Sequence, residues 1–367
     1  MAIKICHVTS VHPAKDDRIF FKECLSLTKE YEVYLIAPNV EDDTVDGVHI
    51  LGVNLPKNRL KRFLSLDSVY EKALSVDASL YHFHDPELMY TGLKLKRKGK
   101  RVVFDSHEDV PMQILTKDYL PKIIRNIISF IYGKLEKIML AKYDALVSVT
   151  PFIVERLSTI NPNVCMITNY PVIGQITDKI RERLGDYVCF AGGVSRRYMH
   201  EYIIKSLEFT DVKYLLAGPA DISYLKKLES LTQWKDVEYV GAVKYEDVNT
   251  IYSKAFAGIV LLDYSPNVGY HKGTLGVLKM FEYMLSGLPV IATDFELWKE
   301  IVEGNNCGKC INPYDIHAIS ETINFYKNNP KVAIEHGRNG RNAVLTKYNW
   351  ETQERVLFKL YRTLIKT

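Results

Sequence analysis

Two doubly wound α/β domains facing across a cleft, with a last helix crossing back to the first domain, are what this sequence predicts. Three observations carry the expectation. Short apolar runs alternate with helix-period segments. The alternation halts in a Pro- and Asn-bearing seam, Asn161–Ile176, and then restarts. At 367 residues, 47% hydrophobic and 25% charged, the chain is ordinary in composition and too long for one comfortable core.

In the first half, Ile3–Val8, Val33–Ala37, Leu80–Phe83, Arg101–Phe104 and Ala145–Val149 read as buried strands. Ile19–Lys29, Glu87–Lys98 and Pro121–Ala141 lie between them as amphipathic or mixed segments. Alternation of this kind implies a parallel sheet covered on both faces. The pattern returns with Tyr187–Ala191, Lys213–Ala217, Val237–Val240, Ala257–Leu262 and Val290–Ala292. Helical segments His200–Leu207, Ile222–Leu231, Tyr245–Lys254 and Leu275–Ser286 separate these. In the tail, Val356, Leu357, Leu360 and Tyr361 fall at helical spacing. The expected domains are 1–171, with a helix over 349–367 packing on it, and 172–348. Ligands of such sheets bind beyond the carboxyl ends of the strands.

Composition excludes several classes. The net charge of +4 and the lack of an aromatic-interleaved basic motif argue against a nucleic-acid partner. MAIKICHVTS reads as a strand, without the apolar h-region of a signal peptide. The longest uncharged stretch, Leu157–Thr177, is broken by Asn161, Pro162, Asn169 and Pro171, so no span of a bilayer is expected. The six Cys imply no disulfide framework, and Cys307-Gly-Lys-Cys310 has no second ligand pair near it to suggest zinc.

The stretch HKGTLGVLKMFEYMLSGLPVIATD, 271–294, raises a chemical question. Leu278, Phe281 and Leu285 form one helical face and Met280 and Met284 another, so the helix should be buried. Glu282 sits inside it, and a desolvated carboxylate needs a partner. A structural hydrogen bond would satisfy it; so would the hydroxyls of a ligand. The helix start favours the ligand. Thr274 is the expected N-cap, Gly276 admits a close approach, and the unpaired N–H groups of the first turn, around Gly276, Val277 and Leu278, suit a phosphate. Lys279 adds positive charge.

LKMFEYMLSGLPVIATDFELWKEIV resembles the C-terminal signature of the GT-B glycosyltransferases of the large retaining family 4. In that family a Glu-x7-Glu pattern spans a phosphate-binding loop and helix. Its second Glu binds the donor ribose and its first contacts the donor sugar. Glu282 matches the second; Thr274 stands where the first would be. CFAGGVSRRYMHEYIIKSLE resembles the first strand, glycine loop and helix of the donor domain, where a basic pair faces the diphosphate. Gly193 takes the first basic position, and Arg196 and Arg197 lie near the second. Read by itself, a Gly-Gly turn followed by two Arg is a suitable pyrophosphate clamp, although such a pair is often only solvated. KYLLAGPA and VEYVGAVKYEDV resemble the strands whose ends hold the nucleobase, around Gly218 and Val243–Lys244.

The first half carries the resemblance too. HVTSVHPAKDDRIFFKECLSL resembles the first strand and loop of a subgroup of these enzymes, with His12, Asp17 and Arg18 in the loop. In YHFHDPEL, His84 matches the family's active-site His, and Asp85 follows it. FDSHEDVP brings Asp105 and His107 to the next strand end. A rival reading makes His82, His84, Asp85, Asp105 and His107 the ligands of a metallohydrolase, since HxH at a strand end is common there.

KNRLKR (57–62), KLKRKGKR (94–101) and PKIIRNIISFIYGKLEKIML (121–140) mix basic with apolar side chains. They read either as solvated faces around a core or as a peripheral membrane surface.

The resemblance implies a hexosyl- or N-acetylhexosaminyltransferase that needs no metal and no cofactor beyond its donor, a nucleotide-diphosphate sugar, expected to be a UDP-sugar. The acceptor would be a glycan or lipid-linked saccharide in bacterial surface polysaccharide synthesis. The enzyme would be cytoplasmic, held peripherally on the anionic inner face of the inner membrane. His84, Arg196, Arg197 and Lys279 are the expected catalytic groups. His12, Asp17, Arg18, Asp85 and His107 would lie on the acceptor side. An epimerase or hydrolase of the same fold, and a non-catalytic subunit, are the alternatives.

Overall fold

The computed structural model describes residues 2–117, 119–174, 184–244 and 247–366. Gln175 and Ile176 of the expected seam, and Tyr245 and Glu246 of an expected helix, lie outside them. The chain divides into two compact units: 1–169 with 350–367, and 170–349.

Among the described residues, the first unit holds eight strands: β1 (Lys4–Val8), β2 (Glu32–Pro38), β3 (Asp43–Val45), β4 (Val48–Val53), β5 (Leu80–Phe83), β6 (Arg101–Ser106), β7 (Ala145–Ser148) and β8 (Val164–Met166). They form one sheet in the order β3-β4-β2-β1-β5-β6-β7-β8. All pairs are parallel except the β3–β4 hairpin. The hairpin, absent from the sequence expectation, turns at Asp46-Gly47, where both φ angles are positive. A two-residue turn of that kind favours Asp-Gly. The order reverses between β1 and β5, so loops after these strands flank the switch point. The core is Val8, Tyr81, Phe83, Phe104 and Leu146 with the helices that cover them.

The second unit holds β9 (Tyr187–Ala191), β10 (Lys213–Ala217), β11 (Val237–Tyr239), β12 (Ala255–Val260), β13 (Val290–Thr293) and β14 (Gly308–Ile311). Their order, β11-β10-β9-β12-β13-β14, is the doubly wound arrangement, with the switch between β9 and β12. The two central strands, β9 (YVCFA) and β12 (AFAGIV), are apolar throughout because both faces are covered. β8 and β14 are additions to the expected strands. Both are short and only part-buried, so neither carries a long apolar run. Cys307 is buried with its Sγ donating to the Val302 carbonyl, a packing role.

The C-terminal helix, Trp350–Lys366, belongs to the first unit. Trp350 Nε1 donates to Ser26 Oγ at 2.8 Å, and the Gln353 side chain accepts from Thr168 N at 2.9 Å. Its Tyr361 is fully buried.

Candidate active site

In the first unit, the polar groups gather where the topology directs them, at the carboxyl ends of β1, β5 and β6. A pocket of about 470 Å³ opens there, lined by His12, His84, Asp85, Glu87, Asp105 and His107 among others. Asp85 ties two loops together. Its Oδ2 accepts from Thr9 Oγ1 and from Ser10 N, each at 2.7 Å. Ser10 Oγ donates to Glu87 Oε1 at 2.7 Å. His12 lies 3.3 Å from Asp16 Oδ2 and 3.5 Å from Asp85 Oδ1. The bond to Asp16 raises its pKa against the cost of burial.

Behind this pocket lies a buried polar network. His84 Nε2 meets His7 Nδ1 at 2.9 Å, and His84 Nδ1 lies 3.6 Å from Asp105 Oδ2. Tyr361 Oη bridges His7 Nε2 at 3.0 Å and His82 Nδ1 at 2.8 Å. A π-helical turn, Ile19–Cys24, points Lys22 and Glu23 inward. Burial pushes the Glu23 carboxyl well above its usual range and holds His7 and His82 well below theirs. Burial also pushes His107 down to about 4, so its imidazole is neutral at pH 7. Burial disfavours charge on Asp105, but the adjacent Arg18 guanidinium overrides it and keeps that carboxyl low.

Two acceptor-side expectations change. Arg18 is buried, with Nε 2.9 Å from Asp105 Oδ2 and 3.1 Å from Glu23 Oε1. It holds the floor of the pocket rather than facing an acceptor, because a buried guanidinium needs carboxylates around it. Asp17 turns instead to Lys22 Nζ at 2.7 Å, which also reaches Asn169 Oδ1 at 2.6 Å.

The metallohydrolase ligands come together only in part. His84, Asp105 and His107 present ligand atoms within 4.8 Å of one another, as do His7, Glu23, His82 and His84. Asp85 is committed elsewhere. The Arg18 guanidinium occupies Asp105 Oδ2, the oxygen that a cation between His84 and His107 would need. Placing a second cation there would set two positive charges on one carboxylate, which Coulomb repulsion disfavours.

In the second unit, Gly192-Gly193 follow β9 and Gly218 follows β10. Gly218 has φ +135°, and a Cβ there would meet the Gly192 carbonyl at 1.9 Å. The loops therefore touch this closely only because residue 218 is glycine. Gly192 has φ +147°, and a Cβ on it would lie 2.5 Å from Lys279 Nζ. Lys279 thus lays its ammonium against the Gly-Gly turn. It also donates to Tyr198 Oη at 3.2 Å and lies 4.6 Å from that ring's centre. Gly193 faces open space, and Arg196 and Arg197 are exposed on the following turn. Val243 is half-buried in the loop after β11.

The helix that follows runs Leu278–Leu285, three residues shorter at its start than expected. Val277, not Thr274, is the N-cap residue. Thr274 Oγ1 instead accepts from Gly276 N at 3.0 Å, so that N–H serves the loop rather than standing unpaired. Trp298 Nε1 donates to the Thr274 carbonyl at 2.7 Å and pins the loop. Glu282 lies one turn beyond Lys279, buried, and its Oε2 accepts from Tyr252 Oη at 2.8 Å. Tyr252, Tyr198, His7, Glu23 and Tyr361 support the site without a motif that marks them in the sequence. A polar His7 inside the apolar run of β1 is the one local signal.

Comparison with known proteins follows the same division. Residues 178–343 match the family described as glycosyl transferases group 1, and residues 24–169 match glycosyltransferase family 4. No curated protein sequence matches the chain. Among solved structures, sucrose-phosphate synthase of Thermosynechococcus elongatus superposes with a TM-score of 0.77 at 18% identity, covering 99% of each chain. WaaG, a glycosyltransferase involved in lipopolysaccharide biosynthesis, gives 0.71 at 12% identity over 98% of this chain and 99% of its own. Anabaena HepE, in complex with UDP and glucose, gives 0.71 at 14% identity over 98% of this chain and 100% of its own.

Proposed function

As the chain belongs to the group 1 glycosyltransferases and has the GT-B fold, we propose that it moves a hexose or N-acetylhexosamine from a UDP-sugar to a hydroxyl of a glycan or lipid-linked saccharide. Transfer retains anomeric configuration and needs no metal. The observation that carries the reading is Lys279 laid on the Gly192-Gly193 turn, with Glu282 one helical turn away. That pairing offers a cation to a diphosphate and a carboxylate to a ribose. HepE, of the same fold, was solved with UDP and glucose, which supports a uridine donor.

The reaction breaks the bond from the anomeric carbon to the diphosphate and forms one from that carbon to the acceptor oxygen. The acceptor proton passes to the departing phosphate. Lys279, Arg196, Arg197 and the N–H groups at the start of the 278–285 helix stabilise the charge growing on that phosphate. Glu282, oriented by Tyr252, fixes the ribose. In the first unit, His84, His12 and Asp85 line the acceptor side, and neutral His107 can accept or donate a hydrogen bond to a sugar hydroxyl.

The protein works in bacterial surface polysaccharide synthesis, bound peripherally to the cytoplasmic face of the inner membrane. No helix among the described residues is long and apolar enough to cross a membrane. Helix Lys122–Leu140 exposes Ile124, Ile127, Ile131, Leu135 and Ile138 along one stripe, flanked by Lys122, Lys134 and Lys137. Each basic residue near an anionic surface contributes about 1 kcal/mol.

One experiment tests the reaction: a panel of nucleotide sugars is offered with and without acceptors, in EDTA, and the product linkage is read by NMR. Acceptor-dependent UDP release with a retained linkage is expected. Equal turnover without acceptor would make the protein a hydrolase or epimerase. Binding without turnover would make it a non-catalytic subunit. Loss of activity in EDTA would overturn the metal-free step. For the membrane, cosedimentation with anionic vesicles should fall as salt rises; no binding to any vesicle would remove that claim.

A further inference from the structure

Beside the polar pocket of the first unit lies a second concavity of different character. It has a volume of about 660 Å³ and an apolar lining that includes Leu60, Phe63, Met89, Tyr90, Leu135 and Met139. Arg59, Pro86 and Glu87 line both concavities, so the two are continuous at that edge. The groove runs between helix Arg59–Leu64, helix Met89–Lys96 and helix Lys122–Leu140.

Charge is confined to the junction. Arg62 is already neutralised there, with Nε 2.5 Å and Nη2 3.1 Å from the Glu87 carboxylate. Arg59 is exposed and has no ion-pair partner among the described residues. Inside the groove, Tyr132 lines the wall with Leu135 and Met89, while its hydroxyl is buried out of reach of solvent. Around the rim, Leu60, Phe63, Leu64, Leu135 and Ile138 are exposed apolar side chains. Contiguous exposed apolar surface of this sort marks an interaction site rather than ordinary surface.

We propose that this groove holds the hydrocarbon chain of the acceptor, an amphiphile with one apolar tail and an anionic phosphate at the junction, where Arg59 meets it. The saccharide then extends into the polar pocket toward His84. This rests on the transferase reading above and narrows its acceptor to a phosphate-bearing lipid. The order of the lining explains the choice: apolar groove, single unpaired guanidinium, then hydroxyl-binding pocket. A soluble glycan would leave the apolar portion empty, and a neutral lipid would leave Arg59 unused.

The test uses the full chain and needs no turnover. Decyl phosphate carrying a diazirine at the chain end is photolysed with the protein, and labelled peptides are mapped. A neutral decyl ether with the same diazirine is run in parallel, and inorganic phosphate is added as competitor. Label is expected within 60–63, 89–90 and 132–139. It should fall about tenfold in Leu135→Trp and in Leu60→Trp, which fill the groove from opposite walls at exposed positions. Arg59→Ala should weaken labelling by decyl phosphate but not by the ether. Label spread along the outer stripe at 123–131 and indifferent to both Trp variants would overturn the proposal. Equal labelling by both probes, unchanged in Arg59→Ala, would overturn the phosphate assignment. If no donor sugar is transferred to any acceptor, the transferase reading fails while the labelling result stands by itself. If transfer occurs, Leu135→Trp should lower the ratio of kcat/KM for a long-chain over a two-carbon acceptor about tenfold; an unchanged ratio counts against the groove.

Discussion

Replacing Lys279 by Met isolates one charge in the donor site. Met preserves most of the stem that packs over Gly192 and against the Tyr198 and Phe190 rings, and removes only the ammonium. The ammonium already lies against the Gly-Gly turn, so a diphosphate seated there would be about 4 Å away. At that distance two unit charges attract by about 4 kcal/mol at an effective dielectric of 20. Desolvation offsets part of this, leaving about 1.5–3 kcal/mol for a charge-assisted bond. Affinity for UDP should therefore fall by about ten- to a hundredfold. Uridine, which has no phosphate, supplies the control. Calorimetric titration of both ligands into both proteins measures the difference, with thermal unfolding to verify the fold. The expected pattern is a large loss for UDP and none for uridine. Equal losses for both would show that Lys279 shapes the site as a packing residue; undiminished UDP binding would refute its place beside the diphosphate.

Glu282→Gln should reduce donor affinity by about ten- to a hundredfold, because the ribose loses a charged acceptor; unchanged affinity in a folded variant would make Glu282 structural, a partner for Tyr252 within the protein. Tyr361→Phe leaves His7 Nε2 and His82 Nδ1 without their shared partner and should cost about 2–4 kcal/mol, read from urea unfolding. A loss below about 0.5 kcal/mol would show that the network tolerates the gap. Stability should fall as pH drops from about 6.5 toward 4.5. In that window the unfolded chain protonates His7, His82, His107 and His200, which burial keeps neutral in the fold. Glu23 works in the opposite sense, since its buried carboxyl keeps a proton that the unfolded chain has released above about pH 4.5. Each net proton is worth about 1.4 kcal/mol per pH unit, and a urea midpoint that stays flat or rises on acidification would contradict the assignment.

How far each feature is legible in the sequence follows the distance over which it is determined. The central strands of both units carry their apolar runs locally, so the amino-acid pattern alone places them. The Asp46-Gly47 hairpin has a local signal as well, the two-residue Asp-Gly turn, but its short exposed first strand, Asp43–Val45, has no apolar run to go with it. β8 and β14 have no local signal, because short part-buried strands lack a period. Glu282 stands out because a carboxylate in an apolar helix is a local anomaly. Thr274 misleads for the same locality: Ser and Thr before a helix usually cap it, but Trp298, 24 residues on, holds the 274 carbonyl, and the helix begins later. Arg18 gives no sign of its burial, since its partners Glu23 and Asp105 converge through tertiary packing, the latter 87 residues away.

The Tyr361 hydroxyl joins two histidines to a residue 354 positions after the first of them. On the ribosome, His7 and His82 emerge well before their partner, which follows only after the whole of the second unit. The first unit must therefore wait, its sheet laid down but two of its interior imidazoles unmatched, while residues 170–349 are made and can already close around their own core. Domains generally fold as units in the order of synthesis; here the order of completion is inverted. During that interval the nascent amino-terminal portion is the part of the molecule that depends on protection, and truncation before Tyr361 would strand it there.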